Sequence, residues 1–244
     1  MKNLISVIAV VVSMAFASAY AADKNAPHWD YEGEAGPAAW GKEFPTCGLG
    51  KAQSPIDITG PFEKATQTIK LDYKEGALKV LNNGHTLQVN VDPGSKLQID
   101  NDSYDLLQFH FHRPSEEKIN GKASAMVAHF VHRNAAGKLA VVGVHLIAGS
   151  ENATLKVVWA AAPKAEGPEV VVQGAKINPV ALMPKNLNYY SFEGSLTTPP
   201  CSEGVTFYIL KTPMTMTMAQ IDAFPFKMNA RPVQPLNGRK VLAN

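Results

Sequence analysis

Beyond its N-terminal segment, the 244-residue chain has no apolar run approaching the ~20 residues that a bilayer core requires. It also has little net charge, with 23 basic residues against 21 acidic ones. The first absence excludes a membrane-spanning helix in the body of the chain, and the second removes the electrostatic footprint expected of a nucleic-acid partner. Cysteine is scarce: Cys47 and Cys201 are the only two, and neither sits in a C-x-x-C pair, which argues against a zinc–thiolate site. There is no H-E-x-x-H motif and no second cluster of metal-ligating residues, so a hydrolase of that type lacks its signature. Gly/Ser linkers, blocks of like charge and internal repeats are all missing, and helical periodicity is nearly so. These absences leave a single domain built mostly of strands.

What is present begins with a targeting segment. Lys2 gives a positive start, residues 4–16 are apolar apart from Ser6 and Ser13, and Ala19-Tyr20-Ala21 is a small-x-small cleavage pattern. Residues 1–21 therefore read as a signal peptide, cleaved after Ala21 or alternatively after Ala22, with no membrane association afterwards. The expected destination is the periplasm, with full secretion as the alternative. In such an oxidising compartment Cys47 and Cys201 read as one disulfide.

The fold expected for residues 22–244 is mainly β: one domain around a large, mostly antiparallel central sheet, with a few short peripheral helices. Residues 29–50, rich in Gly, Pro and Trp, read as an irregular segment pinned by its aromatics. Short β-prone runs follow at 69–73, 78–82, 86–91, 96–99 and 106–112, each bounded by Gly, Pro, Asn or Asp. Another covers 123–132 and precedes a turn at 134–137. Residues 139–147 (LAVVGVHLI) are almost continuously apolar, as in a strand buried on both faces. Residues 152–162 are the best helix, with Leu155, Val158 and Trp159 on one stripe. The last third reads as loop-rich, with a strand at 205–210 and another near the C-terminus.

The chemistry is concentrated in Gln108-Phe109-His110-Phe111-His112. Strict alternation is the period of a strand, so Gln108, His110 and His112 share one face while Phe109 and Phe111 point into a core. Two imidazoles at this spacing reach one metal ion, and a third ligand is available in Val127-Ala128-His129-Phe130-Val131. If that run lies antiparallel beside the first, His129 faces the same space. Three neutral histidines plus an open position form a catalytic zinc shell, whereas structural sites carry four protein ligands. His132 has the opposite parity from His129, His145 lies in the buried run, and His28 sits in the irregular start, so none of these reads as a ligand.

The chain resembles the α-class carbonic anhydrases, in the exported bacterial form. The resemblance is carried by Gln53-Ser-Pro-Ile-Asp57, Asn82-Asn-Gly-His85, Gln108-Phe-His-Phe-His112, Ser115-Glu116, His129-Phe-Val-His132 and Gly194-Ser-Leu-Thr-Thr-Pro-Pro200, in the family's order. It implies a zinc-dependent enzyme, a lyase that reversibly hydrates carbon dioxide to bicarbonate and a proton by attack of zinc-bound hydroxide. The implied ligands are His110, His112 and His129. Thr197 and Glu116 orient the nucleophile, and Thr198 together with the Thr197 backbone N–H contacts bicarbonate. Val131, Val141, Leu196 and Phe207 wall the carbon dioxide pocket, Phe207 standing where the family often has tryptophan. His85 is the proton shuttle, with Tyr31, Asn83, Gln88 and Gln108 as its water network. The resemblance further implies cis bonds at Ser54-Pro55 and Pro199-Pro200.

One position departs from the pattern. Where the family usually has a glutamate two residues before the third histidine, this chain has Val127. Either another acceptor, such as a backbone carbonyl or water, then takes the second N–H of His129, or zinc is held less tightly. Two alternatives to the enzyme stay open at this level: a non-catalytic carbonic-anhydrase-like binding module, and an exported zinc hydrolase or esterase. A monomer and a homodimer are both compatible with the sequence.

Overall fold

The alternation at residues 108–112 belongs to an eleven-residue strand, Asp102–His112, in a computed structural model that describes residues 27–244. The signal peptide and its cleavage site lie outside the described residues. Asp102–His112 occupies the middle of a twelve-stranded sheet. Across it, Leu87–Asn90, Asp102–His112, Met126–Asn134, Leu139–Ala148, Glu203–Met216 and Tyr189–Ser195 lie side by side in that order. Each neighbouring pair is antiparallel except Leu139–Ala148 with Glu203–Met216, which is parallel. That exception explains the unbroken apolar run at 139–147: a parallel pair deep in a sheet is covered on both faces and has no water-facing side to make polar.

The two faces of the sheet divide the labour. On one, Phe109, Phe111 and Phe130 are fully buried in the main core, with Phe109 stacked on Phe130 at 5.0 Å between ring centroids. Each such side chain stabilises the fold by roughly 1.5–3 kcal/mol on burial. On the other face a smaller cluster forms around Ile56, Phe192 and Phe207. The histidine positions of Asp102–His112 and Met126–Asn134 open onto that second face.

The helix expected at 152–162 spans Ala153–Ala161, started by the Asn152 side-chain oxygen accepting from the Leu155 N–H at 3.1 Å. Leu155 and Val158 turn into the main core. No helix among the described residues is long and apolar enough to cross a membrane. Two strands of the last third, Val170–Ile177 and Tyr189–Ser195, are absent from the expected set. Val170–Ile177 sits at the sheet edge with most of its residues exposed and its pairing interrupted after Val171, so it has no alternation to read.

The start, expected to be irregular, carries two short helices, Trp40–Glu43 and Pro45–Leu49, and is anchored by Trp40, which donates through Nε1 to the Asp30 and Ala35 carbonyls, and by a disulfide between Cys47 and Cys201. Ser54-Pro55 and Pro199-Pro200 are cis, as are Gly60-Pro61 and Arg113-Pro114. The disulfide bridges a sequence separation of 154, a loop whose closure stabilises by about 5 kcal/mol in the chain-entropy account. Replacing both cysteines by serine is expected to lower the unfolding free energy by about 2–5 kcal/mol in a denaturant titration. A loss below about 1 kcal/mol would mean that hydrogen bonding alone holds the 197–201 loop.

Candidate metal centre

The register of the two histidine strands builds the site. His129 lies directly opposite His110, Val127 opposite His112, and Val131 opposite Gln108, so all six side chains share one face. One ring nitrogen from each of His110, His112 and His129 lies within 4.8 Å of the others. The ring centroids are 5.0–5.7 Å apart, with His112 and His129 buried and His110 half-buried toward the open side.

The second nitrogen of each ring is tied down, and this decides which nitrogen stays free. His112 Nδ1 donates to the Asn229 carbonyl at 2.7 Å, leaving Nε2 deprotonated and without a hydrogen-bond partner. His110 Nδ1 donates to the Gln108 side-chain oxygen at 2.8 Å, which frees its Nε2. His129 uses the other atom: Nε2 faces the Glu117 carboxylate at 3.1 Å, which frees Nδ1. Carbonyls and carboxylates only accept, so each of these nitrogens turns its proton toward its acceptor and the other nitrogen of the ring is the one that faces inward. Burial and then the neighbouring imidazoles push His110 well below the usual histidine range and His112 down to about 3, which keeps both lone pairs available at neutral pH.

Another acceptor does stand in for the one missing at Val127. The second N–H of His129 faces the side chain of Glu117, fully buried, which the sequence did not single out. Glu116 beside it is buried too, so the acidic pair Glu116-Glu117 is not the solvated charge run that its composition suggests. The two carboxyls are pushed in opposite directions. Burial raises Glu116 to about 8, despite the opposing pull of His129, the Arg231 backbone N–H and the Thr197 hydroxyl. Burial also acts upward on Glu117, but the charge and hydrogen bond of His129 outweigh it and leave that carboxyl at about 2. Reciprocally, burial acts downward on His129 while Glu117 holds it above the ordinary histidine value.

Of the remaining expected site residues, Glu116 and Phe207 lie beside the three histidines. Glu116 accepts from the Arg231 N–H at 2.9 Å through one oxygen and places the other 3.3 Å from His112 Nε2. Thr197 is buried in a loop closed by bonds from Leu196 N to the Ser202 carbonyl and from Cys201 N to the Thr198 carbonyl, both 2.9 Å. Val131, Val141, Leu196 and Phe207 all belong to the smaller apolar cluster, with the Phe207 ring 6.0 Å from that of His129.

His85 is half-buried in a turn and stacked on Trp29 at 3.7 Å, with Tyr31 edge-on at 6.4 Å. Asn83 and Gln88 are engaged within the protein. Asn83 Oδ1 accepts from the N–H groups of His85 and Thr86, shaping the turn, and Gln88 Nε2 donates to Asn90 Oδ1 at 2.7 Å. His132 is buried between the Tyr73 hydroxyl and the Ala140 carbonyl, His145 bonds to Ser124 Oγ, and His28 is exposed.

A family model described as eukaryotic-type carbonic anhydrase matches residues 35–244. A carbonic anhydrase of Pectobacterium carotovorum is 44% identical, covering 99% of this chain and 100% of that protein. One from Klebsiella pneumoniae is 45% identical over 89% of this chain and 91% of the other. Among solved structures, the α-carbonic anhydrase of Thermovibrio ammonificans, complexed with the inhibitor sulfanilamide, superposes with a TM-score of 0.84 at 42% identity, covering 88% of this chain and 98% of that one. Dioscorin complexed with ascorbate superposes at 0.81 with 28% identity, covering 89% of this chain and 98% of its own.

Two residues that hold the site together carry no signal in the sequence, because both act from an aperiodic segment and partly through backbone atoms. The Arg231 guanidinium is buried against the Gln53 side chain and the Ser54 and Cys47 carbonyls at 2.7–3.0 Å. Asn229, fully buried, accepts from Arg113 N at 2.7 Å and donates to the Phe111 and His85 carbonyls at 2.9 and 3.0 Å. It therefore ties the ligand strand to the His85 turn. Asn229→Ala strands the Arg113 N–H and the His85 carbonyl, while the Phe111 carbonyl keeps the Thr86 hydroxyl at 2.6 Å, and at ~1–3 kcal/mol for each buried unmet group, partly relaxed, a loss of about 1–4 kcal/mol is expected in equilibrium unfolding. A loss below about 1 kcal/mol would show that the two segments do not depend on it.

Proposed function

The chain belongs to the eukaryotic-type, α-class carbonic anhydrases, and on that premise we propose that it reversibly hydrates carbon dioxide to bicarbonate and a proton, with zinc held by His110, His112 and His129. The observation that carries this reading is the set of three inward-facing ring nitrogens, each oriented from behind by a bond to the other nitrogen of its ring, His112 Nε2 being buried with no hydrogen-bond partner. Three neutral nitrogens within reach of one point suit zinc, since they leave its double charge undiminished and one coordination position open. Bound there, zinc supplies Lewis acidity that brings a coordinated water to a pKa of about 7.

The chain's own groups do the rest. The Thr197 hydroxyl has one proton, and giving it to Glu116 leaves only lone pairs toward the open side of the site. It then accepts from the attacking oxygen and orients it. Carbon dioxide carries no charge, so its place is against the apolar wall of Val131, Val141, Leu196 and Phe207. Thr198 and the Thr197 N–H take the oxygens of bicarbonate. His85 takes the released proton on its imidazole, with Tyr31, Asn83, Gln88 and Gln108 ordering the polar path. Its stacking on Trp29 sets one position of that ring.

Export to the periplasm is supported by the targeting segment at residues 1–21 and by the Cys47–Cys201 bond, which needs an oxidising compartment to persist. We keep monomer and homodimer as the working alternatives for assembly. The likeness to dioscorin, which was solved with ascorbate bound, keeps the binding-module reading as the second one. The intact His110–His112–His129 set with the Glu116–Thr197 pair favours the enzyme.

Stopped-flow carbon dioxide hydration before and after zinc removal tests the proposal. Activity is expected to vanish with a chelator and return with one equivalent of zinc. Failure of the zinc-loaded protein to hydrate carbon dioxide would leave the binding module. His85→Ala is expected to lower kcat in dilute buffer about 10-fold or more, within the range of proton-transfer catalysis. Its kcat/KM should be little changed, and added imidazole should restore kcat. An unchanged kcat would remove His85 from proton transfer.

A further inference from the structure

Val127 and Glu117 approach His129 from different parts of the chain, and only one of them carries a carboxylate. Val127 is fully buried on the histidine face, opposite His112 on one side and His145 on the other. Glu117 enters from the loop after Asp102–His112, equally buried, with Oε2 at 3.1 Å from His129 Nε2 and Oε1 without a partner. The loop is built to hold it there. Ser115 Oγ donates to the Glu117 carbonyl at 2.8 Å, Ser124 N donates to Ser115 Oγ at 2.8 Å, and Ser115 N donates to the Ser124 carbonyl at 3.1 Å. Ser124 Oγ in turn bonds His145 Nδ1 at 2.8 Å, so the support reaches the strand Leu139–Ala148. A buried polar group left without water or a partner is costly, so a fully buried carboxyl steered by its loop onto one ring nitrogen has that ring as its partner.

We propose that Glu117 is the positioning residue for His129 in this chain, and that positions 117 and 127 are alternative seats for a single carboxylate, exchangeable but not additive. Glu117 accepts the Nε2–H of His129, holds the ring with Nδ1 inward, and supplies from a loop what a strand residue at 127 could supply directly. A glutamate at 127 with Glu117 in place would set two buried anions against one N–H, leaving at least one of them unpaired. The inference rests on the reading of His110, His112 and His129 as zinc ligands.

The test measures zinc loss from the loaded protein under a chelator, together with thermal unfolding, for the parent, Glu117→Gln, Glu117→Ala, Val127→Glu and the double variant Glu117→Ala/Val127→Glu. Glu117→Gln preserves shape and is expected to fold like the parent while holding zinc about 10-fold less tightly. Glu117→Ala is expected to approach 100-fold, the range typical when a ligand's hydrogen-bonding partner is removed. The double variant should recover most of that loss, whereas Val127→Glu alone should unfold at a lower temperature and hold zinc no better than the parent. Parent-like zinc retention in Glu117→Gln overturns the proposal, as does a double variant no better than Glu117→Ala. So does Val127→Glu alone if it is stable and holds zinc more tightly. A parent that binds no zinc overturns the metal-site reading together with it.

Discussion

A buried imidazole that is to offer a lone pair must give its other N–H away, and the centre of this molecule is arranged around meeting that demand three times. Each ring solves it with a different kind of acceptor: a side-chain amide from its own strand, a backbone carbonyl from the far C-terminal segment, and a carboxylate from a loop. Because the acceptors come from distant parts of the chain, the site depends on the whole fold. Asn229 can present its carbonyl to His112 only while its side chain is bonded to Arg113, Phe111 and His85. Arg231 can present its N–H to Glu116 only while its guanidinium grips Gln53, Ser54 and Cys47. Cys47 is bonded to Cys201, which ends the Thr197 loop, so the N-terminal segment, the C-terminal segment and the threonine loop are fastened at one point.

The electrostatics follow from the same geometry. Glu116 and Glu117 are consecutive and buried alike, yet one is pushed up and the other down. The difference is the partner. Glu117 faces the N–H of His129 directly, while Glu116 relies on a backbone N–H and a hydroxyl, which stabilise its charge less than burial disfavours it. Two adjacent carboxyls thereby sit in different settings, one against a ring N–H and the other held by the Arg231 backbone N–H.

Much of this was legible in the sequence because strand parity is a strong constraint. Alternation at 108–112 placed the phenylalanines in the core and the histidines together, and the parity of 127–131 put His129 across from them. The same argument separated His132, which the structure buries against Tyr73. The unbroken run at 139–147 is one half of the parallel pair. What parity cannot show is a contact made by a loop. Glu117 stands in an acidic-basic run that reads as solvated, and nothing local reveals that Ser115 folds it inward. Asn229 and Arg231 act from a segment without periodicity, and the edge strand Val170–Ile177 has no buried face to impose one. The motif resemblance supplied the threonine loop and the pocket wall, which composition alone could not.

The central claim is that the second-nitrogen bonds select which atom of each imidazole faces the metal. A crystal structure of the zinc-loaded protein, with anomalous differences collected at the zinc edge, tests it directly. The expected result is one peak about 2.0–2.1 Å from Nε2 of His110, Nε2 of His112 and Nδ1 of His129, with Glu117 still on His129 Nε2. A peak coordinated by Nε2 of His129, or one centred away from the three histidines, would contradict it.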